Sequence, residues 1–203
     1  MSATFWNDRF RSDTYVYGTA PNQFVRAQAS RWPEGASVLE LGAGEGRNAI
    51  FLADQGLDVT ALDYAEEGLH KLNQLAEARG VSVNTTQADV TAWTPDRRWD
   101  GVVNTFLHLP PAERPALYQA MQAALRPGGV LVAEWFRPEQ IIDGYDSGGP
   151  PAVDMMVTAD ELRTHFPEEG MQVLRAVETT LDEGPYHRGP AAVVRLVWQR
   201  SAE

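Results

Sequence analysis

The sequence predicts an α/β fold: a doubly wound, mostly parallel seven-stranded sheet with helices on both faces and an antiparallel hairpin at its C-terminal end. Three observations carry that expectation. Short apolar runs alternate with segments whose apolar residues recur at helical spacing, a glycine-rich turn joins the first run to the first helical segment, and the last two β-like runs are joined by a loop too short for a crossover. With 203 residues, 43% of them hydrophobic, the chain can bury one sizeable core.

The elements follow in order. Residues 37–41 (Ser-Val-Leu-Glu-Leu) read as a strand stopped by glycines, and residues 48–55 then place Ala49, Ile50, Leu52 and Ala53 at helical spacing, with Gly56 as a cap. Residues 58–63 read as a second strand, 66–79 as a helix ended by Gly80, 81–88 as a third strand and 99–104 as a fourth. A proline-opened helix is expected over 111–126, closed by Pro127-Gly128-Gly129 before a strand at 130–136. Residues 138–153, with Gly148, Gly149, Pro150 and Pro151 near their end, read as a loop over the sheet. Thr158-Ala159-Asp160-Glu161 signals the start of a short helix through Leu162 to Phe166. Strands at 173–181 and 191–199 complete the pattern as a hairpin.

Composition excludes whole classes of function. The formal net charge of −11 works against a nucleic-acid partner, because neutralising phosphates requires a basic face. No apolar stretch approaches the roughly 20 residues needed to span a bilayer. The first residues carry neither a basic region nor an apolar one, so they do not read as a signal peptide, and a cytoplasmic location is expected. The absence of cysteine removes disulfides, thiolate metal sites and thiol nucleophiles together.

The most informative stretch runs from Val38 through Glu40, Gly42, Ala43, Gly44, Glu45 and Gly46 to Arg47 and Asn48. Glycines at alternate positions allow positive φ and close backbone approach to a ligand, and the helix that follows offers unpaired N–H groups. The spacing is Gly-x-Gly-x-Gly rather than the Gly-x-Gly-x-x-Gly of dinucleotide enzymes, and carboxylates at Glu40 and Glu45 would repel a pyrophosphate. They suit a ligand bearing an ammonium and a sulfonium, namely S-adenosylmethionine. Asp63, ending the second strand, can accept both ribose hydroxyls; Asp89, after the third, either contacts the adenine amino group or caps a turn. With Asn104 at the end of the fourth strand, the expected cofactor set is Tyr17, Glu40, Gly42, Ala43, Gly44, Gly46, Arg47, Asn48, Asp63, Tyr64, Asp89, Val90 and Asn104.

In motif, order and spacing, residues 37–136 resemble the class I S-adenosylmethionine-dependent methyltransferases, and Pro127-Gly128-Gly129-Val130-Leu131 matches the turn before that family's fifth strand. The resemblance implies one methyltransferase domain over 1–203: an aromatic cap at 1–30, a cofactor-binding core at 37–136, and a substrate-side loop, helix and hairpin at 137–203. It implies a small-molecule methyl acceptor and no metal, with amine, hydroxyl or carboxylate acceptors, or cofactor binding without catalysis, as alternatives.

The flanks bear on the acceptor. Phe5, Trp6 and Phe10, then Tyr15 and Tyr17, precede the first strand, and aromatic faces stabilise a sulfonium and exclude water. Tyr15 and Tyr17 are assigned to the pocket; Trp6 and Phe10 fit either the pocket or burial on the sheet edge. This segment resembles the start of the small tellurite-resistance and thiopurine-type methyltransferases, which act on soft chalcogen nucleophiles. In the tellurite type a Glu-x-x-His-Arg arrangement is linked to substrate, and His187 and Arg188 align with it as a short local match. The roles so implied are anion binding by Arg188 and proton acceptance by His187. His108 is either a second base or a satisfied core histidine, and Glu134 faces either the substrate or a helix terminus.

Overall fold

The computed structural model describes residues 2–202. Its elements in chain order are α1 (Ala3–Phe10), α2 (Gln23–Gln28), β1 (Ser37–Leu41), α3 (Arg47–Asp54), β2 (Asp58–Asp63), α4 (Glu66–Arg79), β3 (Asn84–Gln87), β4 (Trp99–Thr105), α5 (Arg114–Ala124), β5 (Leu125–Phe136), α6 (Glu139–Ile142), α7 (Ala159–His165), β6 (Met171–Asp182) and β7 (Arg188–Gln199). All seven strands join one sheet in the order β3-β2-β1-β4-β5-β7-β6. β1 to β5 are mutually parallel, and β7 runs antiparallel between β5 and β6.

Period-two alternation sends each strand's side chains to two cores. Val38 of β1 packs with Ile50, Leu52 and Leu72, whereas Leu39 and Leu41 pack with Leu117, Met121 and Trp135 on the opposite face. β1 is buried at all five positions, as a central parallel strand should be. Strand order reverses between β1 and β4, so their carboxyl ends splay apart and leave a crevice. Among the described residues no helix is long and apolar enough to cross a membrane.

Several boundaries depart from expectation for identifiable reasons. β3 shrinks to four exposed residues at the sheet edge, where it pairs only with β2, while Val81 and Val83 pack instead against the helical layer. β5 starts at Leu125, before Pro127-Gly128-Gly129. Trp99 pairs with Leu125 and Gly101 with Val130, so the proline–glycine segment is a bulge within the strand rather than a turn preceding it. The hairpin strands are longer than expected and leave a connection of only five residues, 183–187. Pro190 is tolerated in β7 because the strand has there outrun β5, whose pairing stops at Phe136↔Val193. Residues 138–153 form the expected loop but include the four-residue α6.

Candidate active site

At the carboxyl edge, a cavity of about 430 Å³ opens between the glycine turn, α1, the loop after β4, the segment around Gly148 and the hairpin connection. An adjoining recess of about 260 Å³ runs past Tyr64 toward Ala88, Asp89, Val90 and Thr91.

The glycine turn makes one wall. Gly42, Gly44 and Gly46 all have positive φ, at 71°, 53° and 87°. A Cβ on Gly42 would meet the Leu107 side chain at 3.2 Å, and one on Gly44 would meet Phe10 at 3.3 Å, so bare backbone is what keeps the cradle open. Glu40 is buried beneath the turn: its Oε1 accepts a 2.8 Å hydrogen bond from Asn48 Nδ2, and its Oε2 has no partner among the described residues. Burial pushes its carboxyl up to about 7, against the opposing pull of the Asn48 hydrogen bond and the Arg47 charge. Asp63 accepts from the N–H of Gly44 through Oδ2 and of Ala65 through Oδ1, both at 2.8 Å, and burial raises its carboxyl above the ordinary range.

Opposite stands an aromatic wall of Phe5, Trp6, Phe10 and Tyr17, with Trp6 stacked on Phe10 at 5.5 Å between centroids. Trp6 and Phe10 therefore face the cavity. Tyr15 does not: its ring lies 4.6 Å from the Lys71 ammonium and its hydroxyl donates to the Lys71 carbonyl. Lys71 also forms a buried ion pair with Glu45, so Glu45 lines the cavity already neutralised. Its other oxygen accepts from the Tyr17 N–H, which ties the aromatic segment to the glycine turn.

The hairpin connection supplies His187, buried and lining the cavity, with its ring 4.6 Å from Tyr17, 4.5 Å from Phe106 and 5.5 Å from Phe136. Its Nδ1 has no hydrogen-bond partner among the described residues. Burial, the nearby Arg47 and Arg9 guanidinium groups and His108 hold its pKa well below the usual value, so it is neutral at physiological pH. The connection is anchored by Glu183, whose Oε2 takes a 2.6 Å ion-pair contact from Arg47 Nη1, and whose Oε1 accepts from Asn22 Nδ2 at 3.1 Å and from the Gln23 N–H at 3.0 Å.

Two expected site residues, Arg188 and Asn104, and the open candidate Glu134 lie elsewhere. Arg188 opens β7, and alternation turns it outward as it turns its neighbour inward: its side chain is 72% exposed, pairs with Asp182 at 3.3 Å and does not line the cavity. Asn104 is buried behind the site, donating to the Leu41 carbonyl at 3.2 Å, and the next residue of the strand, Thr105, lines the cavity in its place. Glu134 is also behind, bonded to Asn22 and paired with Arg195. His108 reaches the cavity, but its Nδ1 donates to the Met155 carbonyl at 3.0 Å and its Nε2 accepts from the Phe136 N–H at 3.2 Å. With both nitrogens engaged and burial lowering its pKa to about 4, it is a satisfied core histidine and not a free base. Asp89 lines the recess and at the same time caps a turn, its Oδ1 accepting from the Thr91 N–H and hydroxyl.

Several wall residues lay outside the expected set, among them Arg9, Thr105, Leu107 and Phe136, and Phe106, which the sequence places only at the end of the fourth strand. Phe106, at φ 55°, holds a left-handed conformation rare for a bulky residue, the kind of local strain that clusters at functional sites; it aims its ring at His187. Arg9 was recoverable, because Phe5 and Trp6 precede it by four and three positions and so share its helix face.

Glu40 Oε2, the glycine cradle, Asp63 and the aromatic wall together match a ligand carrying an ammonium, a ribose and a sulfonium. Comparison with known proteins agrees. Residues 38–129 match the family described as a methyltransferase domain. The chain is 33% identical over 94 residues to the probable S-adenosyl-L-methionine-dependent methyltransferase TehB of Haemophilus influenzae, covering 45% of this chain and 33% of that one. It is 31% identical to the tRNA 5-carboxymethoxyuridine methyltransferase of Escherichia coli over 57% of this chain and 49% of that one. It is 26% identical to the probable thiol methyltransferase 2 of Arabidopsis thaliana over 84% and 72%. The chain thus spans about a third of the length of its TehB relative. Among solved structures, TehB from Haemophilus influenzae superposes with a TM-score of 0.75 at 22% identity, over 97% of this chain and 67% of that one. Magnesium protoporphyrin IX methyltransferase from Synechocystis PCC 6803, solved with bound SAH, superposes at 0.69 and 18% identity, over 98% and 99%. Residues 38–129 thus match a methyltransferase domain, and the chain as a whole shares the fold of the solved methyltransferases it superposes on.

Proposed function

We propose that this chain transfers the methyl group of S-adenosylmethionine to a small nucleophile, a thiol or a chalcogen oxyanion, within one domain whose residues 1–30 cap the site, 37–136 hold the cofactor and 137–203 shape the acceptor side. The observation that carries this reading is the partial roof over the site. α1, the Gly148 segment and the hairpin connection stand over a cavity of about 430 Å³, near the lower end of the range for small-molecule sites, which favours a small acceptor over a bulky polymer segment. The formal net charge of −11 weighs further against a polyanionic acceptor, although one relative is a tRNA enzyme.

When bound, the cofactor supplies a methyl carbon activated by a positive sulfur. Glu40, beneath the turn, would attract the ammonium, Asp63 would receive the ribose hydroxyls, and the recess beside Tyr64, Asp89 and Val90 would take the adenine. Phe10, Trp6 and Tyr17 face the sulfonium and keep water away. His187, neutral and lining the cavity, orients the acceptor, with its Nδ1 turned inward 3.9 Å from Glu183 Oε2 and its Nε2 edge toward the Gly148 segment. Alignment of nucleophile and methyl is the main catalytic contribution.

Calorimetry with S-adenosylhomocysteine tests the cofactor half of this reading. Asp63→Ala is expected to weaken binding about 100-fold, since two hydrogen bonds to a charged group are lost, whereas His187→Ala leaves affinity nearly intact and lowers turnover. Equal losses in both variants would overturn the division of roles, and tight NADH binding without a response to the adenosyl ligand would overturn the cofactor assignment. A cofactor-consumption screen over thiols, selenite, tellurite, small amines and tRNA tests the acceptor. Consumption on tRNA alone would sink the small-molecule reading, and none on any acceptor would leave a binding protein.

Glu40 adds a pH signature. Its folded pKa of about 7 lies above its ordinary value of 4.5, so the stability it contributes is present at low pH and declines as pH rises between those values. The ammonium of the ligand favours the ionised form. Affinity for S-adenosylhomocysteine is therefore expected to fall about tenfold per unit as pH drops below 7, with proton release on binding near pH 6. A flat profile in Glu40→Gln, set against a sloped wild type, confirms the assignment; a flat wild type refutes it.

A further inference from the structure

We propose that Arg9 is the anion-binding group of the acceptor site, so that the methyl acceptor is a small anion, an oxyanion or a carboxylate-bearing thiol, held beside His187; this rests on the methyltransferase reading above. Arg9 lies in the last turn of α1 and lines the cavity. Its guanidinium carbon sits 4.6 Å from the centroid of Phe5, 5.3 Å from Trp6 and 5.0 Å from Tyr186. Its Nη1 donates to the Tyr17 hydroxyl at 2.9 Å. That uses one of five donors, and rings against its faces leave the remaining donors at the guanidinium edge, the geometry that takes a carboxylate or oxyanion two bonds at a time.

The charge pattern of the cavity singles this side chain out. Arg47 is neutralised by Glu183, and Glu45 by Lys71. Arg11, two positions beyond Arg9, pairs with Asp8 and Glu67. Arg9 alone among the cavity's cations has no carboxylate partner among the described residues, in a chain with a formal net charge of −11. The unpaired acids, Glu40 and Asp63, belong to the glycine-turn end, where the cofactor's ammonium and ribose are assigned. Arg9 instead belongs to the His187 end: Tyr186 of the hairpin connection stacks on it, and Tyr17, which receives its hydrogen bond, lies 4.6 Å from the His187 ring. It therefore does for the site what Arg188, turned out to solvent, does not.

The chemistry balances without a base when the attacking atom carries the charge. A lone pair of the anion forms the bond to the methyl carbon while the carbon–sulfur bond breaks onto sulfur. For an oxyanion or a thiolate the negative charge of the acceptor and the positive charge of the sulfonium cancel and no proton has to leave; a carboxylate-bearing acceptor that arrives as a thiol gives its S–H proton to His187 or to water. A neutral acceptor gains nothing from the guanidinium.

The test compares the wild type, Arg9→Gln and Arg9→Lys in cofactor consumption with selenite, mercaptopropionate and mercaptoethanol, alongside calorimetry with S-adenosylhomocysteine. The two thiols differ in whether they carry a carboxylate. Arg9→Gln is expected to raise KM for selenite and mercaptopropionate about tenfold or more, with kcat and S-adenosylhomocysteine affinity within about twofold and mercaptoethanol unaffected. Arg9→Lys recovers part of the loss. Equal effects on charged and neutral acceptors would make Arg9 a packing residue. A matching loss of S-adenosylhomocysteine affinity would give the guanidinium to the cofactor's own carboxylate, and either result overturns the proposal. A wild type that uses mercaptoethanol and neither anion overturns it while leaving the methyltransferase reading intact. No S-adenosylhomocysteine binding, or no consumption on any acceptor, overturns that reading and the proposal with it.

Discussion

Replacing Glu183 by alanine is expected to destabilise the protein by about 3–5 kcal/mol, because it strands a buried guanidinium. Arg47 and Glu183 are both buried, and their 2.6 Å contact joins the first residue of α3 to the hairpin connection. The substitution also removes the acceptor for the Gln23 N–H and one of two acceptors for Asn22 Nδ2, so the segment before α2 loosens as well. For a chain of this size the melting temperature falls by roughly 6–20 °C. Glu183→Gln keeps an acceptor for Gln23 and is milder. The pair Glu183→Ala/Arg47→Met, which removes both charges, is expected to recover most of the loss, since a buried ion pair replaced whole by apolar groups is often neutral. Denaturant unfolding checks all three, and a loss below about 1 kcal/mol in Glu183→Ala would mean that water reaches Arg47 and the pair is not buried in solution.

Gly184→Ala is the second large effect, and it acts through backbone contact. Gly184 has φ 114°, which a side chain rarely adopts, and its Cβ would lie 2.3 Å from the Gly18 nitrogen and 2.4 Å from the Tyr17 carbonyl carbon. Backbone cannot yield as a flexible side chain does. Either the hairpin connection withdraws, taking His187 with it, or the segment carrying Tyr17 and Gly18 lifts off the glycine turn, to which the Tyr17 N–H and Glu45 bind it. The expected cost is about 3 kcal/mol or more in stability. Turnover should fall further than S-adenosylhomocysteine affinity, because Glu40 and Asp63 lie at the other end of the cavity. Gly35→Ala serves as the comparison: it has φ 78° but nothing within 4 Å of its Cβ, so it carries the conformational strain without the clash. Equal unfolding midpoints for the two variants would show that the contact between connection and cap segment carries no weight.

Both effects concern the joint between the two ends of the chain, and that joint was the least legible part of the sequence. The strand–turn–helix at 37–54 could be read directly, because alternating glycines after an apolar run and helical spacing beyond it are local signals. Asp63 and Asp89 were legible as the acidic ends of strands. His187 and Arg188 were read as a pair, and the pairing failed for a simple reason: consecutive residues entering a strand point to opposite faces. Glu45 was placed against the cofactor when its charge is taken by Lys71, a contact between the turn and α4 that no spacing rule foretells. Tyr15 left the aromatic set for the same reason, as its ring covers that lysine.

What the sequence determined by itself was therefore the sheet, its switch point and the glycine-turn end of the cavity. These rest on hydrophobic periodicity and on glycines whose φ angles the turn requires, and such signals act over a few residues. Tertiary structure alone decided the hairpin end: which histidine has both nitrogens bonded, which arginine lacks a carboxylate partner, and how Glu183 holds the hairpin connection to α3. Each of those outcomes is set by pairing among charges and hydrogen-bonding groups far apart in the chain. Pairing depends on distance and burial, and only the folded sheet, by bringing residues 5–24 and 183–187 over the same edge, supplies either.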